Sequence, residues 1–290
     1  MVHIVGVHGI GQGRTSPERL SKKWMKALQR GTRELAAPDD SPIDLVVPHW
    51  APHLKEHAQR LEAGDDPFGM SEPMNEEEAS FIAQTCEDTL DPQVLAYADR
   101  LPEDTLGVPG LPQVWPAHIN KLVKAMDNKN PGHGEWFVKL LREVRHYLHE
   151  PELAQKVRQY VVLSWIDRST VLLGHSLGSV IAYDLIRRGE LPSVEKNDPF
   201  TLITCGSPLG LPTVRRALGL EEDEPLEVPA GVRWVNVYDR GDLVTGGEGL
   251  NQSTVITDVP VDNGRWNRHG SGPYLRTIAV AEALAAAGRV

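Results

Sequence analysis

The sequence predicts an α/β fold in which a mostly parallel sheet is flanked by helices. Short apolar runs typical of buried strands alternate with helical patterns at both ends of the chain. One such run, Thr170 to Leu173, leads into a sharp, glycine-flanked turn that a helical pattern follows. The 290 residues are 40% hydrophobic, which is enough for one large domain or for one domain with a sizeable insertion.

The first elements form a strand–helix–strand unit. Val2 to Val7 is a short apolar run of the kind found in central strands. Ser16 can cap the helix that follows, Pro17 suits its first turn, and the apolar stripe continues to about Ala36. Ile43 to Val47 is a second strand. Two strands joined through one helix predict parallel neighbours with the helix packed on the sheet.

The alternation stops between residues 55 and 150, where helical periodicity dominates. The clearest helix is Glu135 to His149, whose apolar side chains make one wide stripe. A parallel crossover needs only one helix, so we expect residues 55–150 to be a helical cap inserted into a core of residues 1–54 and 151–290. The alternative is that these helices simply cover one face of the sheet. Further helices are predicted at Glu77 to Leu90, Pro92 to Leu101 and Pro116 to Met126.

Strands and helices alternate again in the last third of the chain. Strands are predicted at Phe200 to Cys205, Val232 to Tyr238 and Ser253 to Val259. A single closing helix is predicted from Pro273 to Gly288, with Leu275, Ile278, Ala279 and Leu284 turned inward.

Composition and charge exclude several classes of function. A net charge of −10 argues against nucleic acid and anionic membranes as partners. Cys86 and Cys205 are the two cysteines and lie far apart in sequence, so no disulfide framework is indicated. No signal-peptide pattern precedes the first strand, and no apolar run approaches the roughly 18 residues needed to span a bilayer. We therefore expect a cytoplasmic protein without a transmembrane segment; the sequence does not predict its oligomeric state.

The motif Gly174-His175-Ser176-Leu177-Gly178 carries the chemistry of the chain. It matches the G-x-S-x-G nucleophile elbow, and it has the required strand before it and helix after it. Glycines at the two flanking positions remove Cβ atoms that would clash in so sharp a turn. The helix that follows directs its positive end at the serine. We therefore predict Ser176 to be a nucleophile.

A serine hydroxyl needs a base beside it and a third group that orients the base. In open α/β sheets, reactive residues lie beyond the carboxyl ends of the strands. Asp242 follows the strand ending at Tyr238, and His269 lies in the loop after the last predicted strand. The order Ser176, Asp242, His269 is that of hydrolases with this elbow. Other candidates for the acid are Asp239, Asp258 and Asp262.

The glycine-rich loop after the first strand, Val7 to Gly13, predicts an oxyanion hole. Its glycines let backbone N–H groups approach a ligand closely. We assign the N–H groups of Ile10 and Leu177 as donors to the oxyanion. The remaining residues expected to shape the loop or contact substrate are His8, Gly9, Gly11 and His175. A nucleotide phosphate loop is disfavoured, because the glycines alternate and no Gly-Lys-Ser/Thr ending follows.

A metal centre is also disfavoured. His49, His53 and His57 are four residues apart, but Pro52 interrupts the helix between the first two. Glu56 is the only carboxylate nearby on that stretch. We therefore predict no metal ligands and no cofactor.

These motifs together resemble the α/β-hydrolase superfamily, and within it the lipase-like branch that includes lipases and deacylases of phospholipids or glycosylphosphatidylinositol. The resemblance rests on the glycine-rich loop, the elbow, Gly206-Ser207-Pro208-Leu209 and the turn from Asp239 to Val244, and it covers residues 1–50 and 160–290. It implies an α/β-hydrolase fold, with Ser176 as nucleophile, His269 as general base and Asp242 as its partner. Two features depart from the branch: the chain begins at the family's third strand, and the acid turn reads Arg-Gly-Asp-Leu-Val instead of Asp-Pro-Val.

The sequence therefore predicts a serine hydrolase that cleaves carboxylic esters through an acyl-enzyme, with a small-molecule or lipid-like ester as substrate. Two alternatives stay open. The same triad serves acyltransferases, thioesterases and amidases, since pocket shape selects the acceptor. The second alternative is a non-catalytic module of the same fold whose cap binds a protein partner.

Overall fold

The structure, a computed structural model, describes residues 1–12, 15–36, 42–52, 73–102, 115–129, 132–221, 224–250 and 255–288. Its strands are β1 (Val2–Val7), β2 (Ile43–Val46), β3 (Val171–His175), β4 (Phe200–Cys205), β5 (Val232–Asp239) and β6 (Ile256–Val261). Its helices are α1 (Pro17–Arg33), α2 (Glu76–Thr89), α3 (Pro92–Arg100), α4 (Ala117–Lys129), α5 (His133–His149), α6 (Pro151–Val162), α7 (Leu177–Arg187), α8 (Pro192–Lys196), α9 (Pro212–Ala217), α10 (Ser271–Leu275) and α11 (Ile278–Ala287).

The described strands form one six-stranded parallel sheet in the order β2-β1-β3-β4-β5-β6. The predicted α/β class with a parallel, helix-flanked sheet is confirmed. The chain moves outward from β1 in one direction to β2 and in the other to β3, so the strand order reverses between β1 and β3. Ligands of open α/β sheets bind at the carboxyl ends of strands beside such a reversal. The loop after β1 and the turn after β3 both lie there.

Helices cover both faces of the sheet. On one face, α1, α10 and α11 bury side chains such as Trp24 and Leu284 against alternate residues of the strands. On the other face, α7 and the helices between β2 and β3 share one continuous hydrophobic core, which includes Val7, Phe137 and Val180. Burial on both faces explains why the central strands read as unbroken apolar runs.

The segment that we expect to be a cap therefore packs into the same apolar core as one face of the sheet. Its predicted helices are present as α2, α3, α4 and α5, within three residues of the expected bounds. A further helix, α6, was not predicted and joins this segment to the core. Arg158 of α6 and Tyr147 of α5 both contact the buried Asp184 of α7, at 3.1 and 3.0 Å. The division into core and cap stays a prediction.

The single closing helix predicted from residue 273 was wrong. The chain forms two helices, α10 and α11, because Thr277 starts a new helix by accepting a hydrogen bond from the N–H of Val280. The break changes which side chains face inward: Ile278 is 48% exposed, whereas Val280 is buried. Leu275 and Leu284 are buried as predicted.

The start and end of the first helix and the start of the last strand can be compared with their predicted positions. Ser16 caps α1 by accepting from the N–H of Arg19, and α1 ends at Arg33, three residues before the predicted end. The start of the last predicted strand, Ser253, lies outside the described residues, and β6 begins at Ile256. No helix in the described part of the chain combines the length and the apolar character that crossing a bilayer requires.

Candidate active site

Ser176 lies at the apex of a strained turn between β3 and α7. Its backbone has φ 56° and ψ −131°, a conformation that non-glycine residues rarely adopt. Such a residue costs about 1–3 kcal/mol and persists only where the surroundings hold it. Here the Ser176 N–H donates to the carbonyl of Cys205, at the end of β4, at 3.0 Å. The serine is 2% exposed. The turn therefore places Ser176 at the carboxyl ends of β3 and β4.

The two motif glycines are there because no side chain fits. A Cβ on Gly174 would lie 2.6 Å from the Cα of Ser179, in the first turn of α7. A Cβ on Gly178 would lie 1.9 Å from the carbonyl oxygen of Val7. The second contact means that α7 passes directly over the end of β1. The elbow and the glycine-rich loop are therefore packed against each other.

His269 is hydrogen-bonded to Asp242. The Nδ1 of His269 lies 2.8 Å from Oδ2 of Asp242, and the carboxylate is almost fully buried. Asp242 also accepts from the hydroxyl of Tyr274 at 2.8 Å and from the N–H of Val244 at 3.0 Å. Burial raises the pKa of the Asp242 carboxyl, but His269 and these donors outweigh it and hold the pKa below its ordinary value. The group is a carboxylate that orients a histidine.

Asp239, the nearest sequence rival, is bonded elsewhere. Its Oδ1 accepts from Nη1 of Arg268 and from the N–H of Gly241, both at 2.7 Å, and its Oδ2 accepts from the N–H of Asn263 at 2.6 Å. The two other rivals, Asp258 and Asp262, also have partners other than His269. The end of β5 and the turn after it thus carry two carboxylates, which bind the consecutive residues Arg268 and His269.

Replacing each carboxylate by its amide separates their roles. In Asp242→Asn the amide disfavours the tautomer with a proton on Nδ1 of His269, so we expect the ester turnover that the sequence predicts to fall about 10³- to 10⁴-fold. In Asp239→Asn we expect a loss of about 2 kcal/mol in the free energy of unfolding, because buried donors lose their acceptor, and less than about tenfold in the turnover of folded protein. Steady-state kinetics and urea unfolding measure both effects. Equal losses of turnover in the two variants would contradict this assignment.

The hydroxyl of Ser176 and the imidazole nitrogen of His269 that faces away from Asp242 share one feature. Oγ of Ser176 and Nε2 of His269 are both buried, and neither has a hydrogen-bond partner among the described residues. The two atoms are therefore not bonded to each other in this structure. Catalytic hydrogen bonds are often long before substrate binds and tighten in the complex. The elbow is tied to the histidine loop by its neighbour His175, whose Nε2 donates to the His269 carbonyl at 2.7 Å.

The glycine-rich loop lies against the elbow. A Cβ on Gly9 would lie 2.7 Å from the Cβ of Ser176, so the loop backbone lies directly against the serine. Leu177 is the first residue of α7, where a backbone N–H has no acceptor within the helix. Within the described residues, the N–H groups of Ile10 and Leu177 have no hydrogen-bond acceptor. Gly11 has φ +73°, and Gly13 lies outside the described residues.

His8 and His175 are buried and neutral, and each forms a hydrogen bond to a backbone carbonyl near Ser176. Burial lowers the pKa of each to about 3, against the smaller opposing effect of a hydrogen bond to a backbone carbonyl. His8 donates from Nδ1 to the carbonyl of Gly9 at 2.7 Å and stacks on Trp50 with ring centroids 4.4 Å apart. The ring of His175 lies 5.0 Å from that of His269. Both histidines hold backbone that borders Ser176.

Sequence reasoning missed two residues that contact the site. Tyr274 was not singled out within the predicted closing helix, and no local pattern marks it. Trp136 was assigned to the apolar stripe of α5, yet it is 36% exposed and its ring lies 5.3 Å from that of His269. The helical pattern does not distinguish Trp136 from the other apolar residues of its stripe; its exposure and its position beside His269 are visible only in the fold.

No cluster of three or more His, Cys, Asp or Glu side chains suited to a metal ion occurs in the described parts of the chain. His49 contacts the carbonyl of Gln12 at 2.9 Å, and His53 and His57 lie outside the described residues. An open cavity of about 610 Å³ lies between α2 and α5, lined in part by Glu77 and Arg145, and contains none of the predicted site residues.

Comparison with models of known protein families, with curated proteins and with solved structures finds no match to this chain.

Proposed function

We propose that this protein is a serine hydrolase of the α/β-hydrolase type that cleaves carboxylic esters. One observation carries the proposal: a serine held at φ 56° on a glycine-flanked elbow lies next to a loop whose histidine is paired with a buried carboxylate. A purely structural role does not account for such an arrangement. The strained backbone at Ser176 is unfavourable, and the hydroxyl makes no hydrogen bond within the described residues that would offset it.

The reaction follows from the roles of the residues. Oγ of Ser176 attacks the ester carbonyl carbon while Nε2 of His269 takes the hydroxyl proton, and the carbonyl π electrons move to oxygen. The N–H groups of Ile10 and Leu177 stabilise this oxyanion. When the tetrahedral intermediate collapses, the C–O bond to the alcohol breaks and His269 protonates the departing oxygen. Water then repeats the sequence on the acyl-enzyme and releases the acid and Ser176.

The groups around His269 favour an apolar substrate. The leaving alcohol must lie near Nε2 of His269, because that atom protonates it. The ring centroid of Trp136 lies 5.3 Å from that of His269, so an apolar, aromatic surface lies beside the base. The net charge of −10 disfavours strongly anionic substrates. We therefore propose neutral esters with apolar groups, lipid-like esters included, as the substrate class.

Labelling by a fluorophosphonate probe tests the proposal directly. The probe phosphonylates only a serine that has been activated, so we expect one modified peptide, containing Ser176, in mass spectra of the digested protein. In His269→Ala we expect the labelling rate to fall at least about 10³-fold, since the base is gone.

The control is His146→Ala, on α5, which removes a histidine paired with Glu150 and not with any predicted site residue, and it should leave labelling unchanged. Modification at another serine, or unchanged labelling of His269→Ala, would overturn the proposed triad. Rates on matched ester, thioester and amide substrates then separate ester hydrolysis from the other acyl-transfer reactions.

A further inference from the structure

A buried tyrosine is hydrogen-bonded to the candidate triad carboxylate. Tyr274 of α10 is 0% exposed, and its hydroxyl oxygen lies 2.8 Å from Oδ2 of Asp242 and 3.0 Å from the backbone nitrogen of Asp239. A backbone N–H can only donate, so the phenol oxygen accepts from Asp239. The single phenol proton is therefore directed at Asp242.

That proton reaches the same oxygen that His269 uses. Oδ2 of Asp242 accepts from both Tyr274 and Nδ1 of His269, and Oδ1 accepts from the N–H of Val244. Of these donors, only Tyr274 and His269 are side chains. The direction of the carboxylate therefore depends on the tyrosine as well as on its own turn.

Gly206 marks the point where these groups meet. Its φ is +57°, and a Cβ there would lie 2.8 Å from the ring edge of Tyr274 and 3.2 Å from both Oδ2 of Asp242 and Nδ1 of His269. The side chain of Asp242, from the turn after β5, and those of His269 and Tyr274, from the consecutive loop and helix after β6, thus surround one backbone position at the end of β4. Such convergence leaves little freedom for the carboxylate to rotate away from His269.

We propose that Tyr274 is a positioning residue of the triad, which fixes Oδ2 of Asp242 toward His269 and disperses part of its negative charge. The inference rests on the proposed function, since it concerns how the base is oriented for proton transfer. Sharing the charge keeps the proton on Nδ1 of His269 and moderates how strongly the carboxylate holds the imidazolium. The hydroxyl stays a donor, because burial and the neighbouring Asp242 raise the pKa of Tyr274 well above its ordinary value.

Few other groups near this carboxylate respond to pH. His175, with its ring 6.0 Å from that of Tyr274, is neutral because its pKa is about 3. Burial raises the pKa of the Cys205 thiol, which stays protonated. Asp239 is paired with Arg268. The test therefore follows the acid limb of the rate profile in a variant relative to the wild-type protein.

The test compares Tyr274→Phe with Tyr147→Phe. Tyr147 is also buried and also donates to a buried carboxylate, Asp184 at 3.0 Å, but it lies away from the elbow. With p-nitrophenyl butyrate as substrate, we expect kcat of Tyr274→Phe to fall about tenfold with KM unchanged. The carboxylate without its phenol donor attracts the imidazolium more strongly, so the acid limb should move to higher pH. Tyr147→Phe should lose stability without either kinetic change.

A readout that does not need turnover separates this inference from the proposed function. The low-field proton resonance of Nδ1–H in His269 reports the bond to Asp242, and we expect it to shift in Tyr274→Phe and to be unchanged in Tyr147→Phe. If the wild-type protein neither hydrolyses esters nor reacts with the probe, the proposed function fails, while this resonance still tests the positioning role.

Unchanged kcat, acid limb and resonance in a folded Tyr274→Phe would overturn the inference, since the phenol would then be only structural. Should that variant fail to fold, 3-fluorotyrosine at position 274 replaces it. A more acidic phenol is a stronger donor, so the acid limb should then move to lower pH. A shift to higher pH, or none, would refute the positioning role.

Discussion

Ser176→Ala should abolish ester hydrolysis and leave the protein as stable as before. The substitution removes the nucleophile, so we expect kcat/KM to fall at least about 10⁴-fold. The free energy of unfolding should change by less than about 0.5 kcal/mol, because Oγ of Ser176 bonds to no described residue that its loss would leave unsatisfied. Hydrolysis of p-nitrophenyl butyrate and urea unfolding measure the two quantities on one preparation.

Ser193→Ala is the matched control for this experiment. Ser193 is 5% exposed, and its Oγ accepts a hydrogen bond from Nε1 of Trp165 at 3.0 Å. Its removal should cost about 1 kcal/mol of stability and leave turnover unchanged. The two variants should therefore give opposite results. Ser176→Ala should lose activity and keep its stability, whereas Ser193→Ala should lose stability and keep its activity. Retention of more than about 1% of the wild-type rate in Ser176→Ala would refute the proposed mechanism.

Gly178→Ala should destabilise the protein strongly although it adds only one methyl group. The added Cβ would overlap the carbonyl oxygen of Val7, at 1.9 Å, and approach the carbonyl oxygen of His8 at 2.7 Å. Neither backbone atom can move without displacing β1, which pairs with strands on both sides. We expect a loss of about 3 kcal/mol in the free energy of unfolding. The folded fraction should also lose turnover, since α7 would move away from the glycine-rich loop.

Gly272→Ala is the control, because Gly272 also lies in a helix and a Cβ there meets no described atom within 4 Å. We expect it to be neutral or to raise stability by up to about 1 kcal/mol. Urea midpoints of the two variants give the comparison directly. A Gly178→Ala protein with wild-type stability would mean that the elbow does not pack on β1 as described.

The sheet and the elbow were predictable from sequence because their causes are local. Strands β1 and β4 begin and end at the predicted residues, since each is an apolar run closed by glycine or by a turn. Two glycines around Ser176 mark the elbow in the sequence. A Cβ on Gly174 would clash with Ser179, its neighbour along the chain, whereas the clash that excludes a side chain at Gly178 is with Val7 of the distant strand β1. The break between α10 and α11 escaped prediction, because the capping hydroxyl of Thr277 interrupts an apolar pattern that reads as continuous.

The composition of the site depended on contacts between distant segments. Sequence order alone left Asp239 and Asp242 as rivals for His269, and only the fold pairs the first with Arg268 and the second with His269. Tyr274 enters the site for the same reason, because the packing of α10 brings its hydroxyl to Asp242. Periodicity and spacing indicate where the strands and turns lie, since these depend mainly on neighbours along the chain. Which carboxylate meets which base is decided by how the ends of β4, β5 and β6 converge, which local sequence does not encode.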